Sequence, residues 1–127
     1  MSEIQFLNID LDIEAKEDLS PIIEEFGTRV SVMRNDKIDD IYIASFETRF
    51  SEENEIIEEY IALINGLSPA ARTIWDNCLR REFDIGYDSG DIPNNFRSVL
   101  SPRSIELIAR VGGSIAISIY PPSSEVI

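Results

Sequence analysis

Carboxylates are the most abundant side chains in this sequence that could do chemistry, and three groups of them stand out. Asp10, Asp12 and Glu14 alternate with apolar residues. On a strand that places them on one face, about 7 Å apart, where they could contribute to a divalent-cation site with help from elsewhere. The plainer reading is a solvated sheet face or an edge guarded by charge. Asp84, Asp88 and Asp91 surround Ser89-Gly90, but their spacing does not match a calcium loop with its alternating ligands and closing glutamate. Glu52, Glu53, Glu55, Glu58 and Glu59 crowd one segment. If it is helical, Glu52 and Glu53 lie at the favourable end of the dipole, whereas Glu55 and Glu59 repel each other four residues apart. The segment contains no lysine or arginine to offset them. Such a pattern is either a solvated face tuned for solubility or a docking face for a basic partner.

The rest of the catalytic repertoire is thin. With no histidine, the usual general base and the commonest neutral metal ligand are missing, and no serine or cysteine nucleophile can have a histidine partner. Gly112-Gly113 follows a helical segment rather than preceding one, the wrong order for a phosphate cradle. Cys78 belongs to an apolar stripe and reads as a core thiol; alone, it forms no intrachain disulfide. These features argue against an enzyme and point to no catalytic residue, no metal site and no cofactor.

Charge narrows the partners. The chain carries 24 acids and 11 bases, a net −13. Residues 1–64 hold 17 acids and 5 bases, residues 65–127 hold 7 and 6, so the imbalance is a property of the first half. A nucleic-acid-binding surface needs the opposite sign. An acidic half suits a basic protein partner, or solubility alone. The start has no basic region followed by an apolar stretch, and no apolar run reaches the roughly 18 residues of a membrane span, so the expectation is a cytoplasmic protein without membrane contact.

The elements that must position these groups follow from periodicity and punctuation. Residues 4–13 read as a strand with Leu7, Ile9, Leu11 and Ile13 on its apolar face. Ser20-Pro21 opens a short helix, with Ile22, Ile23 and Phe26 inward, that stops at Gly27. Residues 28–34 and 38–47 form a hairpin across an Asn35-Asp36-Lys37 turn. Ser51 opens a helix with a stripe of Ile56, Ile57, Tyr60, Ile61 and Ile64, ended by Gly66. Ser68-Pro69 opens a third helix, with Ala71, Ile74, Trp75, Cys78 and Leu79 on one face. A strand over 82–88, a loop over 89–99, a helix opened by Ser101-Pro102 and ended by Gly112-Gly113, and a strand over 114–120 complete the order. Ile115, Ile117 and Ile119 are expected inward on that last strand. The fold class is α+β, in the order β-α-β-β-α-α-β-α-β, with helices on a mostly antiparallel or mixed sheet. Leu19-Ser20-Pro21 and Leu100-Ser101-Pro102 each open a helix-glycine-strand unit, suggesting two βαβ-like halves. Residues 1–122 form a single domain and 123–127 a loose tail.

The stretch Phe83-Asp84-Ile85-Gly86-Tyr87-Asp88-Ser89-Gly90, then Leu100-Ser101-Pro102, then Ile115-Ala116-Ile117-Ser118-Ile119-Tyr120-Pro121, resembles a small uncharacterised bacterial α/β family. That family includes immunity proteins of polymorphic or contact-dependent toxin systems. The resemblance covers the last third of the chain and, in the first half, the order of elements. It implies an immunity protein that neutralises a cognate toxin by stoichiometric binding. Many such toxins are basic nucleases, which an acidic inhibitor would mimic nucleic acid to block or simply cover. Glu52, Glu55 and Glu59 are then the expected partner-binding residues, with Asp10 and Asp12 as a second patch. Two other readings stand beside it: a self-associating structural or regulatory module, with homodimerisation through an exposed strand edge, and a metal-dependent enzyme using Asp10 and Asp12.

Overall fold

The computed structural model describes residues 2–122, so the expected tail at 123–127 lies outside the described residues. The elements are β1 (Gln5–Ala15), α1 (Ser20–Phe26) with a 3-10 turn (Gly27–Arg29), β2 (Val30–Ile38), β3 (Ile41–Thr48), α2 (Glu53–Asn65), α3 (Pro69–Asp76), β4 (Arg80–Asp88), α4 (Pro102–Arg110) and β5 (Ser114–Tyr120). The expected order is the observed one. The five strands form one mixed sheet in the order β2-β3-β1-β4-β5, antiparallel except for the β4–β5 pair. The two halves differ in one respect. β4-α4-β5 is a crossover between adjacent parallel strands, whereas β3 lies between β1 and β2, splitting the first unit.

Sequence punctuation acts as expected at most helix ends. Ser68 and Ser101 cap α3 and α4, accepting hydrogen bonds from the backbone N–H groups of Ala71 and Ser104, each ahead of a first-turn proline. Gly27, at φ 60°, stops α1 where an L side chain would be strained.

The core lies between one sheet face and the helices. Ile9, Leu11 and Ile13 of β1, Ala44 and Phe46 of β3, and Phe83 and Ile85 of β4 meet Ile22, Phe26, Ile56, Ile57, Tyr60, Ile64 and Trp75. Trp75 is fully buried, as its place on α3 predicts, and its indole N–H donates to the Val111 carbonyl at 3.0 Å. The Tyr60 hydroxyl lies 2.9 Å from the Ile9 carbonyl and 2.8 Å from that of Phe46, so it can donate to either and ties α2 to β1 and β3.

Four local expectations are corrected. The β2–β3 hairpin turns at Asp39-Asp40, with Asp39 at φ 55°, and Asn35, Asp36 and Lys37 continue the strand. Leu7 is exposed because the β1–β4 register shifts between Phe6 and Asn8; Phe6 turns inward instead, edge-on to Tyr87. Leu79 is exposed because α3 ends at Asp76, three residues before it. Ile115, Ile117 and Ile119 are 42%, 64% and 68% exposed. They register with Phe83, Ile85 and Tyr87 and so share the apolar sheet face, but the helices do not cover that face at its edge.

Candidate functional site: an acidic face on the open side of the sheet

Alternation along β1 that sends Ile9, Leu11 and Ile13 into the core sends Asp10, Asp12 and Glu14 to the opposite face. Register then sets their neighbours. Asp10 faces Asp84, Asp12 faces Glu82 and Glu14 faces Arg80 on β4, while Asp12 faces Ser45 on β3. Like charges directly opposite on a sheet are destabilising. Burial pushes the Asp10 carboxyl up to about 6, helped by the nearby charges of Asp12, Glu47 and Asp84 and opposed by a hydrogen bond from Asn8. Asp12 is also raised, first by burial, and is steadied by Ser45 and Arg80. Arg80 is the counter-charge at one end, bonding Glu14 at 2.8 Å and Glu82 on its other arm. At the other end the Ser118 hydroxyl donates to Asp84 at 2.7 Å.

Oxygens of Asp12, Glu82 and Asp84 lie within 4.8 Å of one another. That donor set suits a hard cation, although a calcium shell takes roughly six to eight oxygens. It is equally a set of acceptors for lysine or arginine side chains.

The acids of α2 are arranged differently. Glu52 is the N-cap, accepting the Glu55 backbone N–H at 3.0 Å and the Asn54 amide at 3.1 Å, and these bonds hold its carboxyl below the usual range. Glu59 is ion-paired with Arg29, its side chain only 12% exposed. Glu58 meets Arg103 of α4 at 3.5 Å. The bases missing within the segment are thus supplied by other elements. Glu55 stays exposed beside Glu58, Glu59 and Phe50 around a depression of about 250 Å³.

α2 packs on the apolar face of β1 and β3, so the sheet stands between the two expected patches. The structure does not bring Glu52, Glu55 and Glu59 together with Asp10 and Asp12. It joins Asp10 and Asp12 instead to Glu47, Glu82 and Asp84, which sequence reading missed as partners. The alternation of Glu82 and Asp84 with Phe83 and Ile85 was a signal for their common face, but not for its pairing with β1.

The other candidate groups fall elsewhere. Asp88 accepts the Gly90 N–H at 2.8 Å and shapes the turn after β4. Gly90, at φ 64°, approaches Glu3 so closely that a Cβ would lie 2.5 Å from the Glu3 carbonyl carbon. Cys78 is buried, and burial pushes its thiol up to about 11, which keeps it protonated near neutral pH. No helix among the described residues is long and apolar enough to cross a membrane.

No protein-family model, curated protein or solved structure matches the chain.

Proposed function

We propose that this protein acts by stoichiometric binding of a basic protein, docking it on the open sheet face, and that it serves as an immunity protein against a cognate toxin domain. The observation that supports docking is the set of carboxylates gathered on one face at Asp10, Asp12, Glu47, Glu82 and Asp84, where burial first, and then the charges of Asp12, Glu47 and Asp84, raise Asp10 to about 6. Bringing lysine or arginine side chains to this face relieves the repulsion, so the free protein is preorganised for a cation rather than for its own stability. Opposed fields also speed encounter. The resemblance of residues 83–90, 100–102 and 115–121 to immunity proteins supplies the class of partner.

Linkage gives the docking a pH signature. A cationic partner favours ionised Asp10 and lowers its pKa, so binding strengthens as pH rises through about 6. The test begins with capture of the partner from the native host and titration of the purified pair. One-to-one stoichiometry, loss of the partner's toxic activity and tighter binding at pH 7 than at pH 5 are expected. Asp10→Asn with Asp84→Asn should slow association and flatten its salt dependence. A partner that binds this double variant at the wild-type rate across a salt series refutes docking on this face.

A further inference from the structure

The exposed isoleucines of β5 lie on a free strand edge, and the direction of that edge can be read from one hydrogen bond. Among the described residues, β5 pairs with β4 on one side and ends the sheet on the other. The Tyr120 carbonyl accepts the Ser89 N–H at 2.8 Å, so Tyr120 turns its backbone groups toward β4. By alternation Ser118, Ala116 and Ser114 do the same, and Ile119, Ile117 and Ile115 aim their N–H and C=O groups outward. The same three residues carry the uncovered apolar side chains. Beside them Tyr87, Phe96, Ile117 and Ile119 line a cavity of about 440 Å³ under the loop after β4.

We propose that β5 is a homodimerisation edge, at which two copies of this chain pair antiparallel about a two-fold axis through Ile117.

The strand is self-complementary about that residue. In Ser-Ile-Ala-Ile-Ser-Ile-Tyr, an antiparallel partner centred on Ile117 sets Ile117 against Ile117 of the partner subunit and Ile115 against Ile119 of the partner subunit. Every one of these pairs uses outward-facing backbone groups, so each is a doubly hydrogen-bonded pair. All the apolar side chains land on one face, and each copy's Ile115 arrives beside the cavity mouth at Ile119. An isologous contact of this kind closes as a dimer that uses both β5 edges, and the β2 edges left at its two ends carry Arg34, Asp36 and Lys37.

Charge permits two copies to meet at this place. The chain carries −13, so two copies repel over most of their surface. β5 has no charged residue, whereas β1, β2, β3 and β4 all carry several or at least one. The edge lacks the lysine, proline or charge that ordinarily guards a free strand. Across the dimer the two β4 strands, with their Asp84 residues, stand three strand spacings apart, about 14 Å. That exceeds the screening length of about 8 Å at physiological salt but not the roughly 30 Å at 0.01 M. Salt therefore strengthens this contact, opposite to its effect on the acidic-face docking proposed above, so the two fail independently.

Sedimentation of the full chain over a concentration series, at 0.01 M and 0.15 M salt, tests the pairing. The expected result is a monomer–dimer equilibrium whose dissociation constant falls at least severalfold at the higher salt. Ile117→Lys should abolish the dimer with an unchanged circular dichroism spectrum. Ile117→Pro should do the same, because that N–H is not used within the fold. Under mild oxidation Ile117→Cys should cross-link into a dimer, since its two-fold mate lies about 5.5 Å away between Cα atoms. Ser114→Cys should not, because its own mate lies about 20 Å away along the strand. A monomer at every concentration and salt overturns the proposal, as does a dimer that survives Ile117→Lys. A monomer that instead takes up an apolar β-strand peptide also overturns it, and assigns the edge to another protein.

Discussion

Helix α2 and the open sheet face carry similar numbers of acids but handle them in opposite ways. On α2, Glu52 caps the helix, Glu59 is paired with Arg29 and Glu58 with Arg103. On the sheet, burial pushes Asp10 up to about 6, and its neighbours Asp12, Glu47 and Asp84 add to the rise. The helix spends its charge on structure, and Glu52 titrates below the usual carboxylate range as a result. The sheet has Arg80 against Glu14 and Glu82 at one end and leaves Asp10 and Asp84 facing each other at the other. Formal charge in a sequence window therefore says little about binding; what matters is whether the fold has already supplied the counter-charge.

The comparison rests on a rigid sheet, and the largest perturbation removes that support. Trp75→Ala empties a fully buried site and leaves the Val111 carbonyl without its donor, so a loss of about 3–5 kcal/mol is expected in denaturant titration. Both acidic regions should unfold in a single transition, because both are built on one core.

Association separates the regions directly. Asp10→Lys with Asp84→Lys should slow binding of the basic partner about tenfold or more, equivalent to about 1.4 kcal/mol or more in the barrier. Glu52→Gln, Glu55→Gln and Glu59→Gln together should slow it less than threefold. Equal effects in stopped-flow measurements would erase the distinction.

Stability sharpens it further. The Asp10 carboxyl is raised in the folded state, so its proton is held more tightly there than in the unfolded chain. Its contribution favours folding fully below pH 4 and is lost as pH rises through about 6. Asp10→Asn should then stabilise the protein at pH 7 by on the order of 1 kcal/mol, screening having reduced the full linkage value on this half-buried group. The gain should vanish near pH 4. A gain that is the same at both pH values would deny the frustrated charge.

The α2 triple glutamine variant probes the other side. Relief of the Glu55–Glu59 repulsion alone predicts slight stabilisation. The structure reverses the sign, since the change also removes a charged cap and the Arg29 pair, and a loss of a few tenths of a kcal/mol is expected. The smallest expected effect is that of metals. Millimolar magnesium, calcium or zinc at constant ionic strength should leave the melting temperature unchanged. A saturable rise that Asp12→Asn abolishes would turn the Asp12, Glu82, Asp84 cluster into a cation site.

Local signals made most of the elements legible from the sequence. Serine-proline pairs at 68–69 and 101–102 were caps because a hydroxyl ahead of a proline satisfies an orphan N–H wherever the helix later packs. Alternation in β1, β4 and β5 separated the two faces of each strand because side-chain direction is a property of the backbone. The Asn35-Asp36-Lys37 turn was misplaced because those residue types favour turns only when the strand pairing does not claim them, and here Asn35 pairs with Ala44 and Asp36 with Ile43. Leu7 escaped because a bulge is set by two strands together.

What only the tertiary structure decided is which surfaces are covered and which charges meet. The alternation of Ile115, Ile117 and Ile119 names a face, but whether a helix lies over it depends on where β5 stands in the sheet, and β5 is the edge. Arg29 and Glu59 lie 30 residues apart, and Asp10 and Asp84 further still, so neither the pair that quiets α2 nor the burial and opposed charge that raise Asp10 have any local trace. The sequence by itself determined the order of the elements, the serine caps of α3 and α4 and the face most strand side chains take, because those follow from local chemistry and backbone periodicity, whereas α1 and α2 are capped at Leu19 and Glu52 rather than at Ser20 and Ser51. Neutralisation and exposure belong to the assembled sheet, because Coulomb interactions and burial depend on distance in space and not along the chain.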